Sequence, residues 1–371
     1  GPFFPPKEMA AEQMEGAVQM LGPDGEPRDV PVKGEPGIDI TKVLEAQIFK
    51  DWAGEIDKDA KLFIEDVHIQ SLDMFGPRVG FTKFRSTAKV HVGGEKDVIT
   101  VPGIVFMRGG AVAVLVILEC EGKEYTILTR QARVPVANHS LPEIPAGMLD
   151  GSGQFKGVAA NDLKTECNIE ISEDELVDLT ELAYGDDYKG IIPSGGGCDE
   201  FIRLFVCRRT VKPEVLSELQ GRLTGVQTED EHIKLQIIPA SDLWLKTPDA
   251  KALCALALFD CLRAQGSLPE SAMNSSGDQE QMDATELVDD ATHQAASPRV
   301  HRARAAGGNP RRFFHRDRKQ ALSKALQRTT SGHASSLTKV EGVIAPSMTY
   351  SQKVMTMSYG LVKHQLPAAL R

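Results

Sequence analysis

The stretch AVAVLVILECEGKEYTILTRQARV (111–134) decides the fold class of this 371-residue chain. Two runs rich in β-branched residues flank Glu121-Gly122, a dipeptide that suits a tight turn, so the stretch predicts a β-hairpin. Further strand patterns lie at 62–106, 201–209 and 232–244. The hairpin is therefore predicted to belong to a larger sheet.

Helical periodicity occupies other parts of the chain. It is present in DITKVLEAQIFKDWAGEI (39–56), where Asp39 suits an N-cap, in PEVLSELQGRL (213–223), and in DAKALCALALFDCLRAQG (249–266). Strands mixed with a few helices predict an α/β or α+β body.

The overall composition is that of a soluble globular protein, with 41% hydrophobic and 25% charged residues. No apolar run reaches the roughly 18 residues of a membrane span, so no transmembrane segment is predicted. None of the six cysteines forms a CxxC pair, which argues against a zinc site and against a disulfide framework. Reduced thiols fit a cytosolic, stromal or matrix compartment. The initial Gly1 fits a processed targeting peptide or a tag equally well.

The two ends of the chain differ from its body. Residues 1–38 are rich in Pro, Gly and Glu and are predicted to form an N-terminal arm. A C-terminal extension, 269–371, is polar at first and then basic. Over 297–371 there are 14 Lys and Arg against 2 Asp and Glu, about +12, which leaves about −22 for 1–296. A basic tail on an acidic body suggests contact with another subunit, a nucleic acid, an anionic membrane surface or the body itself.

The stretch GVAANDLKTECNIEI (157–171) predicts a short amphipathic helix with acid on one face. Asp162 and Glu166 are four residues apart, so their carboxylates can converge on one metal ion. Such a pair, taken alone, is more often a solvated helix face.

Five stretches carry a family resemblance, in order along about 200 residues. They are MFGPRVGFTKF (74–84), VPGIVFMRGGAVAVLVILECEGKEYTILTRQARVP (101–135), LPEIPAGMLD (141–150), IIPSGGGCDE (191–200) and IKLQIIPASDLWLKTPDAKAL (233–253). Together they resemble the Nudix hydrolase superfamily, and more narrowly the plant-type ADP-sugar diphosphatases, which are relatives of the ADP-ribose pyrophosphatases.

The resemblance implies an α/β fold, with a mixed sheet sandwiched between helices over 105–268. It also implies a smaller β-rich subdomain over 39–104 that dimerises. The implied reaction is hydrolysis of an ADP-sugar to AMP and a sugar phosphate, with Mg²⁺ or Mn²⁺ as cofactor. A diphosphate repels an anionic nucleophile, so a divalent ion must neutralise charge and activate water.

The helix departs from the family pattern, Arg-Glu-hydrophobic-x-Glu-Glu-x-Gly-hydrophobic. Asn161 replaces the Arg, Asp162 shortens a Glu by one methylene, Thr165 removes a carboxylate, and Asn168 replaces the Gly. Glu166 is retained unshortened. Upstream, no clear match exists for the first Glu of the pattern, since Gly153 or Gln154 falls near it.

The resemblance implies roles for individual residues. The metal ligands would be the Ala146 carbonyl, Asp162 and Glu166, and the general base would be Glu200, after the SGGG loop. Arg133 and Glu143 match positions that line the substrate site, and Gly196 and Gly197 would bring backbone close to a phosphate. Structural alternatives stay open: the glycines suit a flexible loop, Glu200 a surface acid, and Arg133 with Glu143 a structural ion pair.

Two functions follow, from different classes. The first is a metal-dependent Nudix hydrolase of ADP-sugars or related nucleoside diphosphate derivatives, working as a homodimer. The second is a catalytically inactive Nudix-fold subunit of a large organellar assembly, anchored by its C-terminal extension. A helix predicted at 316–328 would dock on a protein groove or an anionic surface, whereas RRFFHR (311–316) leaves nucleic-acid binding open. A plastid and a mitochondrion are both compatible locations.

Overall fold

We describe the protein from a computed structural model, in which residues 15–93, 97–149, 154–225, 231–273 and 281–287 are described. All of these residues fall in one compact unit. They form two sheets with helices around them.

The first sheet has five strands in the order β1-β2-β3-β4-β5. Its elements are β1 (Glu15–Leu21), β2 (Pro27–Gly34), α1 (Ile40–Glu45), α2 (Gln47–Ile56), β3 (Leu62–Phe75), β4 (Arg78–His91) and β5 (Val98–Met107). The helices cover one face, where Phe49 packs edge-on against Phe84 with ring centroids 6.1 Å apart.

The structure differs from the sequence prediction in the described part of 1–38. Instead of an arm, β1 and β2 form an antiparallel hairpin, and β2 pairs in parallel with β3. Met20, Val30 and Val32 are buried in the core of this sheet. The three side chains alternate with charged and exposed ones, and the Pro-rich and Gly-rich composition hid that short pattern. Residues 1–14 lie outside the described residues.

The second sheet is mixed and lies between helices. Its elements are β6 (Ala111–Cys120), β7 (Lys123–Arg133), β8 (Asn138–Glu143), β9 (Ala146–Met148), α3 (Phe155–Cys167), β10 (Val177–Asp178), α4 (Leu179–Tyr184), β11 (Ile202–Thr210), α5 (Pro213–Leu219), β12 (Leu223–Thr224), β13 (Ile233–Pro239), α6 (Leu243–Lys246), α7 (Ala250–Gln265) and α8 (Glu270–Met273). The order is β10-β11-β6-β7-β13-β12, with β8 on β7 and β9 on β6.

β6 is the central strand, and it is covered on both faces. Val112, Val114, Val116 and Leu118 face one core, in which α3 and α5 are packed. The intervening residues face a second core, which α4 and α7 cover. This confirms the predicted α/β fold with a mixed sheet between helices, and the hairpin with its turn at Glu121-Gly122.

The longest described helix, α7 with 16 residues, is too short to span a membrane, and no other helix of the described ranges could do so.

The helix predicted at 157–171 is α3, but it ends at Cys167. Asn168 caps it in the left-handed conformation, with φ of 57°. Asparagine tolerates this conformation better than most residues, which explains how it serves where the family pattern has glycine.

Part of the predicted C-terminal extension packs on the body. Met282 and Leu287 are buried in the same core as α3. The backbone N–H of Met282 donates to Thr210 at 3.0 Å, and Leu287 bridges to Ile169. Residues 281–287 are thus not a free linker, because two apolar side chains in an otherwise polar segment find places in the core. The basic stretch 297–371 and the helix predicted at 316–328 lie outside the described residues.

Candidate active site

Ala146 and Glu166 meet where β9 passes the C-terminal half of α3. The antiparallel ladder between β9 and β6 bonds Pro145 to Val114 and Leu149 to Gly110, and places Ala146 opposite Ala113. Because bonded and non-bonded pairs alternate in such a ladder, the N–H and C=O of Ala146 both face away from β6. The N–H donates to Oε2 of Glu166 at 3.1 Å. The Ala146 carbonyl is therefore directed to the same side as the Glu166 carboxylate.

Asp162 lies one turn before Glu166, against the backbone of β9. A Cβ at Gly147 would overlap the Asp162 carboxylate. Glycine is therefore the residue that lets this carboxylate approach the strand that carries Ala146. The structure thus brings together all three predicted metal ligands.

The carboxylates repel one another. Glu166 is buried, and burial, followed by the negative charges of Asp162 and Glu231, raises its pKa well above the usual value. The N–H of Ala146 and the charge of Arg133 oppose this only in part. A group in this environment binds a proton or a cation more readily than an isolated carboxylate does.

The residues present fit a magnesium ion that takes only some of its coordinating oxygens from the protein. Two carboxylates and one carbonyl offer oxygen donors, which Mg²⁺ prefers, and it commonly completes its octahedron with water and substrate phosphate. Within the described ranges no cluster of three or more Asp, Glu, His or Cys side chains is arranged to hold a metal. Thr165 adds no ligand to the pair, since its hydroxyl donates to the carbonyls of Asn161 and Asp162 at 3.1 and 3.3 Å.

Glu143 lies at the centre of a second group, the Glu143 network, formed by Arg133, Glu143, Asp249 and Lys251. Nε of Arg133 donates to Oε2 of Glu143 at 2.7 Å, and Nζ of Lys251 donates to Oε1 at 2.5 Å. Nζ of Lys251 is also 3.0 Å from Asp249. The predicted pair of Arg133 and Glu143 exists, and a second cation completes it.

Glu200 lies beside Arg108, with Oε1 and NH1 3.3 Å apart. Burial raises its pKa, while the positive charges of Arg108 and Lys251 counteract that rise. The neighbouring Asp199 accepts the backbone N–H groups of Arg108 and Gly109, so this loop is tied to the end of β5. Glu200 is thus a half-buried acid close to the Glu143 network.

The glycine run precedes Glu200 and is attached to the same strand. The N–H of Phe106 donates to the carbonyl of Gly197 at 2.7 Å. A Cβ at Gly196 or Gly197 would meet nothing within 4 Å, and neither glycine has a positive φ. Packing and backbone conformation therefore do not require glycine at these positions, which leaves the backbone open to a ligand.

Sequence reasoning missed Arg108, Glu231 and Lys251. Lys251 lies inside the matched stretch 233–253, in an Asp-Ala-Lys sequence at the start of a helix, which was the available signal. Its partner Glu143 is 108 positions away, so only the fold shows the contact.

The chain is 40% identical over 235 residues to Nudix hydrolase 14, chloroplastic, of Arabidopsis thaliana, an alignment that covers 62% of this chain and 74% of the relative. This chain belongs to the Nudix hydrolase family. Nudix hydrolases act on nucleoside diphosphate derivatives and generally use divalent metals such as Mg²⁺. No family model matches the chain.

Two solved structures are also similar to this Nudix chain. The crystal structure of an ADP compounds hydrolase is 17% identical, with a TM-score of 0.37, and the match covers 56% of this chain and 97% of that one. A C. elegans Ap4A hydrolase binary complex is 15% identical, with a TM-score of 0.30, and the match covers 42% of this chain and 98% of that one.

Proposed function

We propose that this chain is a metal-dependent hydrolase that cleaves the diphosphate of an ADP-sugar or a related nucleoside diphosphate derivative to AMP and a sugar phosphate. The observation that carries the proposal is the placement of Glu166. Its carboxylate lies on the side of β9 to which the Ala146 carbonyl is directed, and one helical turn from Asp162. The positive charge of Arg133 is near enough to lower its pKa.

Ala146, Asp162 and Glu166 would hold the metal. A bound Mg²⁺ or Mn²⁺ supplies charge neutralisation of the diphosphate and a more acidic water. Burial and the neighbouring acids raise the pKa of Glu166, so a cation at this site would favour its ionised form and compete with its proton.

Arg133 would bind the diphosphate. Its Nε is taken by Glu143, and within the described residues neither terminal nitrogen makes a hydrogen bond or ion pair. A guanidinium held in this way presents two parallel N–H donors, which match phosphate oxygens. The open backbone at Gly196 and Gly197 offers a second approach to phosphate.

Glu200 would accept the proton of the attacking water at a carboxylate oxygen. A base is most effective when its pKa lies near the working pH, and burial raises the pKa of Glu200 in that direction. Arg108, at 3.3 Å, orients this carboxylate.

The test is hydrolysis of ADP-glucose and ADP-ribose by the full chain with Mg²⁺ or Mn²⁺, measured as AMP release. We expect activity that EDTA abolishes. A preparation that binds Mn²⁺ by calorimetry yet releases no AMP from either compound would contradict this substrate class.

The second candidate is the inactive subunit of a large assembly. It is favoured by one observation, that the Thr165 hydroxyl is bonded back to its own helix where the family places a carboxylate. Absence of both Mn²⁺ binding and AMP release, together with co-purification in a large complex, would favour this candidate over the enzyme.

The proposal also covers location and assembly. The relative is named chloroplastic, so we propose a plastid location, to be tested by immunodetection of the protein in fractionated cells. We propose a homodimer, to be tested by light scattering of the purified chain.

A further inference from the structure

Lys251 is a buried cation in a position that the proposed reaction does not use directly. It is the second residue of α7 and only 8% exposed, and its Nζ lies between the carboxylates of Glu143 and Asp249. A lysine is almost never buried to this extent unless it is paired. Its side chain is engaged by two acids and is not presented to a substrate.

The start of α7 is attached to β8 at a second point. The hydroxyl of Thr247 donates to the carbonyl of Pro142 at 2.5 Å and accepts the N–H of Asp249 at 3.0 Å. Pro142 and Thr247, which are close in sequence to Glu143 and Lys251, are therefore bonded to each other independently of the Lys251–Glu143 contact. The backbone thus keeps the two charged side chains close together.

Glu143 shares its two oxygens between two cations of different exposure. Oε1 accepts from Lys251, whose side chain is 10% exposed, and Oε2 accepts from Arg133, whose side chain is 41% exposed. Burial would raise the pKa of Glu143, but the charge of Lys251 and the contacts with Arg133 outweigh it and lower the pKa. Without Lys251, one half-exposed guanidinium would have to stabilise a buried carboxylate alone.

We propose that Lys251 is a positioning residue of the hydrolytic site, because it fixes the carboxylate of Glu143. Glu143 in turn bonds Nε of Arg133. Both terminal nitrogens of Arg133 are then left to bind a diphosphate. This inference rests on the proposed function, because it assigns the substrate's diphosphate to Arg133. It extends that function by naming the buried residue on which recognition depends.

Lys251 also acts on Glu200. The charges near Glu200 are Arg108 at the end of β5, its own neighbour Asp199, and Asp249 and Lys251 at the start of α7. Arg108 and Lys251 lower the pKa of Glu200, and the two aspartates raise it. Removal of the Lys251 charge therefore raises the pKa of both Glu143 and Glu200.

The experiment compares Lys251→Met and Lys251→Arg with Lys246→Met, a matched change at an exposed lysine at the end of α6. Binding of ADP-ribose is measured by calorimetry in EDTA, and AMP release is followed with Mg²⁺ from pH 5 to 9. We expect Lys251→Met to weaken ADP-ribose binding at least about tenfold, because Asp249 loses its cation and the Glu143 carboxylate is left with Arg133 alone. KM should rise more than kcat falls, and the acid limb of the pH–rate profile should move to higher pH.

Lys251→Arg keeps a positive charge beside Glu143 and Asp249, although in a larger group, so it should weaken binding less than Lys251→Met does. Lys246→Met should match wild type in every measurement. Wild-type binding by Lys251→Met with an unshifted acid limb would overturn the inference. If the wild type binds ADP-ribose but releases no AMP, the proposed reaction fails while the binding comparison still decides the role of Lys251.

A double variant guards against misfolding of Lys251→Met. Lys251→Met combined with Glu143→Gln removes one buried charge of each sign and leaves the net charge of the Glu143 network unchanged, which a core tolerates better than the loss of one charge. We expect this variant to fold and still to bind ADP-ribose at least about tenfold more weakly, because a neutral amide holds Arg133 less firmly than a carboxylate. Wild-type affinity in the double variant would also overturn the inference.

Discussion

The backbone N–H of Ala146 donates to Oε2 of Glu166, at 3.1 Å, and this bond joins β9 to α3. Both residues are proposed metal ligands, so the same contact that fixes the helix on the strand also fixes the ligand geometry. A side chain held by the backbone in this way loses little conformational freedom when a cation arrives.

Glu166→Gln tests the ligand assignment. Glutamine retains an oxygen that can accept the Ala146 N–H but carries no charge, so we expect at least about a hundredfold loss of AMP release. Burial raises the pKa of Glu166, so its charged form is disfavoured in the folded protein, and we expect the metal-free variant to be no less stable than wild type at pH 7. Glu170→Gln, at an exposed residue paired with Lys164, is the matched control. Unchanged turnover in Glu166→Gln would remove this residue from the site.

Gly147→Ala should damage the acidic site through packing. The new methyl group would overlap the Asp162 carboxylate, so the Asp162 side chain must turn away from β9 or α3 must shift, at a cost of up to about 1–3 kcal/mol. We expect a lower Tm in thermal unfolding and weaker Mn²⁺ binding by calorimetry. Retention of wild-type Mn²⁺ affinity would show that Asp162 is not a ligand in its present position.

Gly196→Ala should leave stability unchanged and affect substrate binding instead. A methyl group there meets nothing within 4 Å, so we expect the Tm to stay the same. If the backbone at this glycine contacts a phosphate, the methyl group obstructs that approach and KM for ADP-ribose rises, which steady-state kinetics would detect. An unaltered KM would leave Gly196 as a loop residue only.

Glu175 should stabilise the fold in a pH-dependent manner. Burial alone would raise its pKa, but the N–H of Ser172 and the two bonds from Arg209, at 2.7 and 2.8 Å, outweigh it and lower the pKa. A lowered folded pKa gives stability that is present above the unfolded pKa of about 4.3 and is lost as the pH falls through the folded value. Urea unfolding should show Glu175→Gln about 1 kcal/mol less stable than wild type at pH 7. The two proteins should converge toward pH 3, and Glu173→Gln, at an exposed neighbour, should follow wild type throughout.

Residues 281–287 should behave as part of the Nudix domain. A chain that ends at Leu287 is expected to unfold at a higher denaturant concentration than one that ends at Met273, because only the longer chain keeps Met282 and Leu287. Met282→Ala, at a residue that is 3% exposed, should cost about 2–4 kcal/mol because it leaves a cavity. Gln281→Ala serves as the exposed control. Equal stability of the two truncations would mean that this segment contributes nothing to the core.

Much of the second sheet could be predicted because its signals are local. The hairpin of β6 and β7 depends on two adjacent runs and one turn, and α3 and α7 depend on periodicity within 13 and 16 residues. β1 and β2 could not be predicted in this way. They are short, lie in a Pro-rich and Gly-rich context, and gain their stability from pairing with β3.

The sequence by itself determined the chemical types present at the site, namely Asp162 and Glu166 one turn apart, Arg133, Glu143 and Glu200. It also determined the α/β class, since periodicity and turns are local properties of the chain. Only the tertiary structure decided that Ala146 faces Glu166 and that Lys251 shares Glu143 with Arg133. The reason is physical: side-chain direction and burial depend on strand register and helix packing, and these bring together residues that are 20 and 108 positions apart in the chain.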